Sequence, residues 1–321
     1  MVIGKDVDKA AGFIRNGGLV AFPTETVYGL GADALNPLAV AAIFKTKKRP
    51  TFDPLIVHIS DIAQIEDLFE KPIAPVVYKL AAHFWPGPLT IVHRKSTLVP
   101  DIVTSGMDTV AVRMPAHPLA QELIRKAGVP VAAPSANRFG QLSPTRHEHV
   151  VKQTMEIDYL LVGDYDIIGI ESTVLYVDNE TVSILRPGYI TAKDILELDR
   201  SITIINKGEN LKVSSPGLLK SHYSPLKPLY YFTNDMQELP EKSGLILHQI
   251  RKTEPIAEKI IYTSRTGNLF ETAANLFTAL HAMEDNPAID TIFIEPVPET
   301  GLGIAIMDRL RKATYRYSKT K

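Results

Sequence analysis

Short apolar runs alternating with helical patterns, each closed by a turn residue, constrain this chain more than any other feature. Residues 8–16 place Ala10, Ala11, Phe13 and Ile14 at helical spacing, and Gly17-Gly18 ends that helix in the left-handed cap glycine tolerates. Leu19 to Phe22 then reads as a buried strand stopped by Pro23. Asn36-Pro37, a cap and first-turn pair, opens a helix through Phe44, and Leu55 to Ile59 is the next strand. Further strands are predicted at 89–94, 109–114, 129–133, 158–162, 172–178 and 181–186, with helices near 74–84, 116–127, 145–153 and 191–198. This is the pattern of an α/β domain over residues 1–200 with a sheet of seven or more strands.

Residues 201–227 break the alternation with Lys207-Gly208-Glu209-Asn210, Ser214-Ser215-Pro216-Gly217 and Ser224-Pro225, the composition of a linker. A second set of elements follows over residues 228–321: strands at 229–232, 244–248 and 291–295, a helix from Leu269 to about Met283, and a closing helix at 304–313. That suggests a smaller α/β domain of Rossmann-like kind.

Composition narrows the chemistry. With 35 Lys+Arg against 36 Asp+Glu, no global field marks the chain as a bulk binder of nucleic acid or membrane surface, so a polyanion site must be local. The absence of cysteine removes disulfides, thiolate nucleophiles and zinc–cysteine sites. No apolar run approaches the roughly 18 residues of a membrane span, and Asp6 interrupts the N-terminus where a signal segment would be apolar, so a cytoplasmic location is expected.

No P-loop or GxSxG elbow is present. Gly29-Leu30-Gly31 and Gly301-Leu302-Gly303 lack the rest of a dinucleotide fingerprint and read as turns, and His147-Glu148-His149 reads as a solvated face. Polar residues gather instead where strands end. Pro23-Thr24-Glu25-Thr26-Val27-Tyr28-Gly29 follows the first strand, where α/β proteins place ligands. Lys45, Lys47, Lys48 and Arg49 close the second helix; such cations suit the helix dipole, but Lys47 and Arg49 also suit phosphate oxygens. Thr109, Ala111 and Arg113 share one strand face, and a buried Arg113 needs a partner, either a ligand anion or a structural carboxylate. Ala133-Pro134-Ser135-Ala136-Asn137, Ser143-Pro144-Thr145, Glu171-Ser172-Thr173 and Arg186-Pro187-Gly188 extend the set.

These strings, in order, resemble the YrdC-like family: FPTETVYGLG (Phe22 to Gly31), KKRPTFDPLIVH (Lys47 to His58), FWPGPLTIV (Phe84 to Val92), TVAVRMP (Thr109 to Pro115), APSAN (Ala133 to Asn137), GIESTV (Gly169 to Val174) and LRPG (Leu185 to Gly188). SPGLLKSHYSP (Ser215 to Pro225) and GLGIAIMDRLRKA (Gly301 to Ala313) extend the likeness to the family's long, two-domain members. The resemblance implies a twisted mixed sheet and a nucleotidyltransferase activity. L-threonine, bicarbonate or CO2, and ATP with Mg would give threonylcarbamoyl-AMP and pyrophosphate, for later transfer to tRNA by a separate transferase.

By position, the resemblance implies threonine binding at Thr26, His58, Arg113 and Ser172. It implies ATP binding at Lys47, Arg49, Asp53, Thr109, Ala133, Ser135, Ser143 and Arg186, with Lys47 and Arg49 closest to the chemistry. Two positions depart from the family pattern: Asp53 stands where Asn is usual, and Lys220 where some members carry Tyr and a nucleotide contact would fall. His222 and Tyr223 suggest that the linker covers the cleft. A chain cut after about residue 200 is therefore expected to lose activity, and one cut after Pro228 to keep part of it. A competing reading makes the chain a non-catalytic RNA-binding module that uses Lys45 to Arg49 and the basic end Arg309, Arg311, Lys312, Arg316, Lys319 and Lys321. Another, the carbamoyl-transfer domain of hydrogenase maturation factors, requires cysteines that this chain lacks.

Overall fold

The computed structural model describes residues 1–163, 168–206, 221–233, 235–236 and 238–318. Its N-terminal unit is built on β1 (Val2–Gly4), β2 (Val20–Phe22), β3 (Gly29–Asp33), β4 (Ile56–His58), β5 (Leu89–Arg94), β6 (Thr109–Arg113), β7 (Val131–Ala132), β8 (Tyr159–Leu161), β9 (Thr173–Asp178), β10 (Thr181–Arg186) and β11 (Thr203–Asn206). They form one mixed sheet in the order β1-β8-β2-β3-β7-β4-β6-β5-β9-β10-β11.

Central strands such as β2 are apolar throughout because both faces are covered. Ala10, Ile14, Leu123 and Ile124, on the helices Val7–Arg15 and Pro118–Ala127, pack on Phe22, Val131 and Tyr159. Val40, Ile43, Val77 and Leu80, on the helices Pro37–Lys47 and Pro75–Phe84, join Leu30 and Val57 in the larger cluster. Each such side chain stabilises the fold by about 1.5–3 kcal/mol.

Two readings of the sequence give way here. Gly29-Leu30-Gly31 is not a turn but lies in β3, antiparallel to β2. A Cβ on Gly31 would sit 2.7 Å from both the Phe22 ring and Val131 Cγ1, so glycine is present to let those side chains close over the strand. Residues 203–206, assigned to the linker, form β11 along β10.

The C-terminal unit is a parallel sheet, β12 (Leu229–Tyr231), β13 (Ser243–Leu247), β14 (Lys259–Tyr262) and β15 (Thr291–Ile294), in the order β12-β15-β13-β14. Leu276, Phe277 and Leu280 of the helix Leu269–Glu284, with Ile306 and Leu310 of the helix Gly303–Ser318, pack on Leu229, Ile246 and Ile292. The same cluster takes in Val27, Leu142 and Ile170 of the first unit, so the two units share a core. They come close at Gly169 (φ +80°), where an added Cβ would lie 2.4 Å from the Ala273 carbonyl oxygen.

Candidate active site

The loop between β2 and β3 is folded by its own hydroxyls: Thr24 Oγ1 accepts from the amides of Thr26 (3.1 Å) and Val27 (3.2 Å) and lies 2.9 Å from Thr26 Oγ1. This turns Thr26 toward Arg113 at the end of β6, whose Nη1 donates to Thr26 Oγ1 at 3.0 Å. Arg113 Nη2 donates to Glu25 Oε1 at 2.7 Å and Nε to the Gly87 carbonyl at 3.2 Å. Of the two partners left open for Arg113, the carboxylate is present, and its source is Glu25, which the sequence analysis did not single out. His58 runs level with Arg113 on the neighbouring strand. Burial, with Arg113 beside it, holds His58 down to about 3, so its ring is neutral at pH 7.

Burial divides the basic cluster after the second helix. Lys45 and Lys48 are exposed, whereas Lys47 and Arg49 are buried, because Lys48 takes a left-handed conformation (φ 54°) that turns the chain back into the protein. Lys47 Nζ donates to the carbonyls of Ser135 (2.5 Å) and Asn137. Desolvation, reinforced by Arg49 and opposed by Asp53, lowers the Lys47 ammonium well below its usual range. Arg49 donates from Nε to the Asp53 carbonyl and from Nη2 to the Pro54 carbonyl, both at 2.9 Å, and pairs with Asp53 Oδ2 at 2.9 Å. Asp53 thus serves Arg49, and burial raises its own carboxyl against the pull of Arg49 and Lys47.

At the far wall, Arg186 grips Ser172, with Nη2 3.0 Å from its carbonyl and 3.2 Å from its Oγ, and Thr90 Oγ1 lies 2.8 Å from the same hydroxyl. Ser143 Oγ donates to Glu171 Oε1 at 2.5 Å. Burial pushes the Glu171 carboxyl up, but Arg309 and Arg186, with the Ser143 hydroxyl, outweigh it and hold the group down to about 2.

The result is one cleft into which Thr26, Arg49, His58, Arg113, Ala133, Ser135, Ser172 and Arg186 all open. Lys47, Asp53 and Ser143 stand one layer behind, touching Ser135, Arg49 and Glu171 respectively. Thr109 is buried outside this lining, at the start of β6, where it pairs with Arg94 of β5. Lys220 lies outside the described residues.

His222 and Tyr223, at the end of the segment read as a linker, line the cleft. Tyr223 is held at φ 60°, with its ring centroid 4.1 Å from that of His222, and the His222 amide donates to the Lys312 carbonyl. The second domain does not stand clear of the site, contrary to what the expected partial activity of a chain cut after Pro228 supposes: Arg309 Nε reaches Glu171 Oε2 at 3.0 Å.

The basic end is only partly a surface patch: Arg316 is exposed and its guanidinium lies over the Tyr317 ring. Arg309 is fully buried, Lys312 pairs with Asp308 (2.7 Å) and Arg311 with Glu299 (2.7 Å), while Lys319 and Lys321 lie outside the described residues. His149, expected on a solvated face, is buried and stacks on His281 with ring centroids 3.8 Å apart. Among the described residues no helix is long and apolar enough to cross a membrane.

Comparison with known proteins bears on this geometry. Residues 12–188 match the Sua5_yciO_yrdC family, described as telomere recombination, and residues 190–314 match Sua5_C, described as the threonylcarbamoyl-AMP synthase C-terminal domain. Among similar proteins is a threonylcarbamoyl-AMP synthase of Pyrococcus abyssi, 42% identical over 97% of this chain and 94% of its own length. Another, from Bacillus subtilis, is 40% identical over 96% of this chain and 92% of its own length. Of solved structures, the crystal structure of P. abyssi Sua5 complexed with L-threonine superposes with a TM-score of 0.86 at 38% identity, covering 98% of this chain and 97% of that one.

Proposed function

The chain belongs to the Sua5/YciO/YrdC family, in its two-domain form, and on that premise we propose how its cleft makes threonylcarbamoyl-AMP for the threonylcarbamoyladenosine modification of tRNA. The substrates are L-threonine, bicarbonate or CO2, and ATP. The observation that carries this reading is a single cleft with two separately held arginines, Arg113 beside Thr26 and Arg49 beside Asp53.

Threonine and ATP both bring negative charge, so each needs a fixed cation already in place. Arg113 takes the threonine carboxylate, with the Thr26 and Ser172 hydroxyls beside it. Neutral His58 adds no charge there and packs edge-on against Phe22, 6.2 Å between ring centroids. The threonine ammonium loses one proton to water to become the amine, which bonds to the carbon of CO2 and loses a second proton to water, leaving a carbamate. A carbamate oxygen then forms a bond to the α-phosphorus as the bond to pyrophosphate breaks. Arg49 and Arg186 meet the charge on the phosphates with planar forks, and Lys47, one layer behind, holds the Ser135 and Asn137 carbonyls and adds its charge at longer range. Holding the reactants in line supplies much of the remaining acceleration. His222 and Tyr223 shield the product, a mixed anhydride that water would hydrolyse.

Magnesium enters as the counter-ion of ATP. Asp53 and Glu171 are each paired with an arginine, so a magnesium ion would enter with the nucleotide and would supply countercharge to its phosphates. The anhydride then passes to a separate tRNA transferase, and the reading places the work in the cytoplasm. The test is pyrophosphate release with each substrate omitted in turn. Release is expected only when threonine, bicarbonate and ATP are all present, and equal release without threonine refutes the assignment. Serine, lacking the methyl, should be used roughly 10–200-fold less well.

A further inference from the structure

We propose that Arg309, supplied by the last helix of the C-terminal unit, is a positioning residue for the ATP end of the cleft and acts through Glu171. The proposal rests on the reading of this cleft as an ATP site.

Arg309 is fully buried, and its guanidinium ties together two segments of the other unit. Nε donates to Glu171 Oε2 (3.0 Å), Nη2 to the Glu171 carbonyl (3.3 Å) and Nη1 to the Pro187 carbonyl (2.5 Å) and to Asp308 Oδ2 (3.1 Å), a carboxylate that Lys312 also pairs. Glu171 uses its other oxygen, Oε1, to accept from Ser143. Pro187 directly follows Arg186, which holds Ser172. One side chain from the second domain thus fixes the loops that carry Ser143, Ser172 and Arg186.

An interdomain clamp alone does not require this arrangement. The helix that carries Arg309 already buries Ala305, Ile306 and Leu310 in the shared core, and desolvating a guanidinium and a carboxylate is costly unless the pair is fully hydrogen-bonded. What the pair adds is charge control at the cleft wall. Glu171 lines the cleft, and its carboxylate would repel an incoming triphosphate unless a fixed cation neutralised it. Arg309 supplies that cation from behind, adding to the charge of Arg186 on the same carboxylate. His281, on the other helix of the C-terminal unit, supports the same segment: its Nε2 lies 3.1 Å from the Ser143 carbonyl.

The test is a double-mutant cycle on the full-length chain, with Arg309→Met, Glu171→Gln and the double variant. ATP affinity is read by isothermal titration, and KM for ATP and for threonine by pyrophosphate release, at a temperature where melting curves show each variant folded. Arg309→Met is expected to weaken ATP binding tenfold or more and to change the threonine KM less than threefold. In the Glu171→Gln background the same substitution should change ATP affinity less than threefold, because the charge it balances is gone. Arg309→Lys keeps the charge but not the fork spanning Glu171 and Pro187; it should lose threefold or more, and it carries the cycle if Arg309→Met does not fold. Equal losses of ATP affinity in both backgrounds overturn the proposal, as does a lowered melting temperature with ATP affinity unchanged. If the wild-type chain binds ATP but releases no pyrophosphate, the activity assignment fails while the titration cycle still decides the role of Arg309.

Discussion

Gly169→Ala tests whether the second domain sets the position of the catalytic loop. Gly169 has φ +80°, and an added Cβ would lie 2.4 Å from the Ala273 carbonyl oxygen and 2.5 Å from Ala274 Cα and carbonyl oxygen. Those atoms are backbone of the helix Leu269–Glu284 and have no side-chain freedom with which to yield. Restoring van der Waals distance requires the loop or the helix to withdraw by about 1 Å. The left-handed backbone adds about 1 kcal/mol of strain for alanine, and overpacking adds about 1–3 kcal/mol. The summed cost of about 2–4 kcal/mol should lower Tm by roughly 3–6 °C for a chain of 321 residues. The shift also moves Glu171 and Ser172, two and three residues on, and misplacing such groups by about 1 Å costs on the order of 100-fold in turnover. Gly106→Ala is the control: its φ is +79° but nothing lies within 4 Å of an added Cβ, so only the strain of about 1 kcal/mol applies. The assays are thermal melting and pyrophosphate release for both variants. If Gly169→Ala melts with Gly106→Ala and keeps wild-type turnover, the close approach at Gly169 does not govern the loop, and the reasoning fails.

Three further outcomes are expected. Arg49→Ala should weaken ATP binding and Arg113→Ala threonine binding, read by titration with each ligand; Arg113→Ala should also cost about 3–5 kcal/mol of stability because it strands Glu25 in the interior, and equal losses for both ligands in both variants would refute the division of roles. Asp53→Asn should tighten ATP binding several-fold by releasing Arg49 from its 2.9 Å ion pair and removing a negative charge, whereas weaker binding would mean that Asp53 is needed to aim Arg49. The third concerns acid. His58, His149, His222 and His281 are held by burial first, with neighbouring cations or imidazole adding to it, at about 3, 4, 3 and 2. Unfolded, each takes a proton near pH 6.5, so the unfolded state binds more protons as pH falls from 6.5 to about 4, and stability drops by about 1.4 kcal/mol per pH unit per histidine. The Glu171 contribution is present above about pH 4.5 and is lost as pH falls toward 2. Urea unfolding at pH 7 and 5 measures the histidine slope; His149→Gln should flatten it by one proton, and a flat profile in the wild type would contradict four buried neutral rings.

Much of the architecture was legible from the sequence because it depends on near neighbours. Val20-Ala21-Phe22 is a strand between a glycine cap and a proline, and Asn36 caps the helix Pro37–Lys47 through its own side chain, a bond made within three residues. The strings that carry Thr26, His58, Arg113, Ser172 and Arg186 also mark the cleft, since polar residues at strand ends have few other roles in a sheet covered on both faces. Where local rules misled, a distant residue had overridden them: Gly31 looks like a turn until Phe22 and Val131 are seen to need the space of a missing Cβ. Charge partners were hidden for the same reason. Glu25 is 88 residues from Arg113, and Glu171 is 138 residues from Arg309, which the sequence left in a basic tail. Periodicity, caps and turns are fixed by a few adjacent residues and can be read in order along the chain. Whether a buried charge finds its counter-charge depends on which distant segments pack together, and only the tertiary structure decides that.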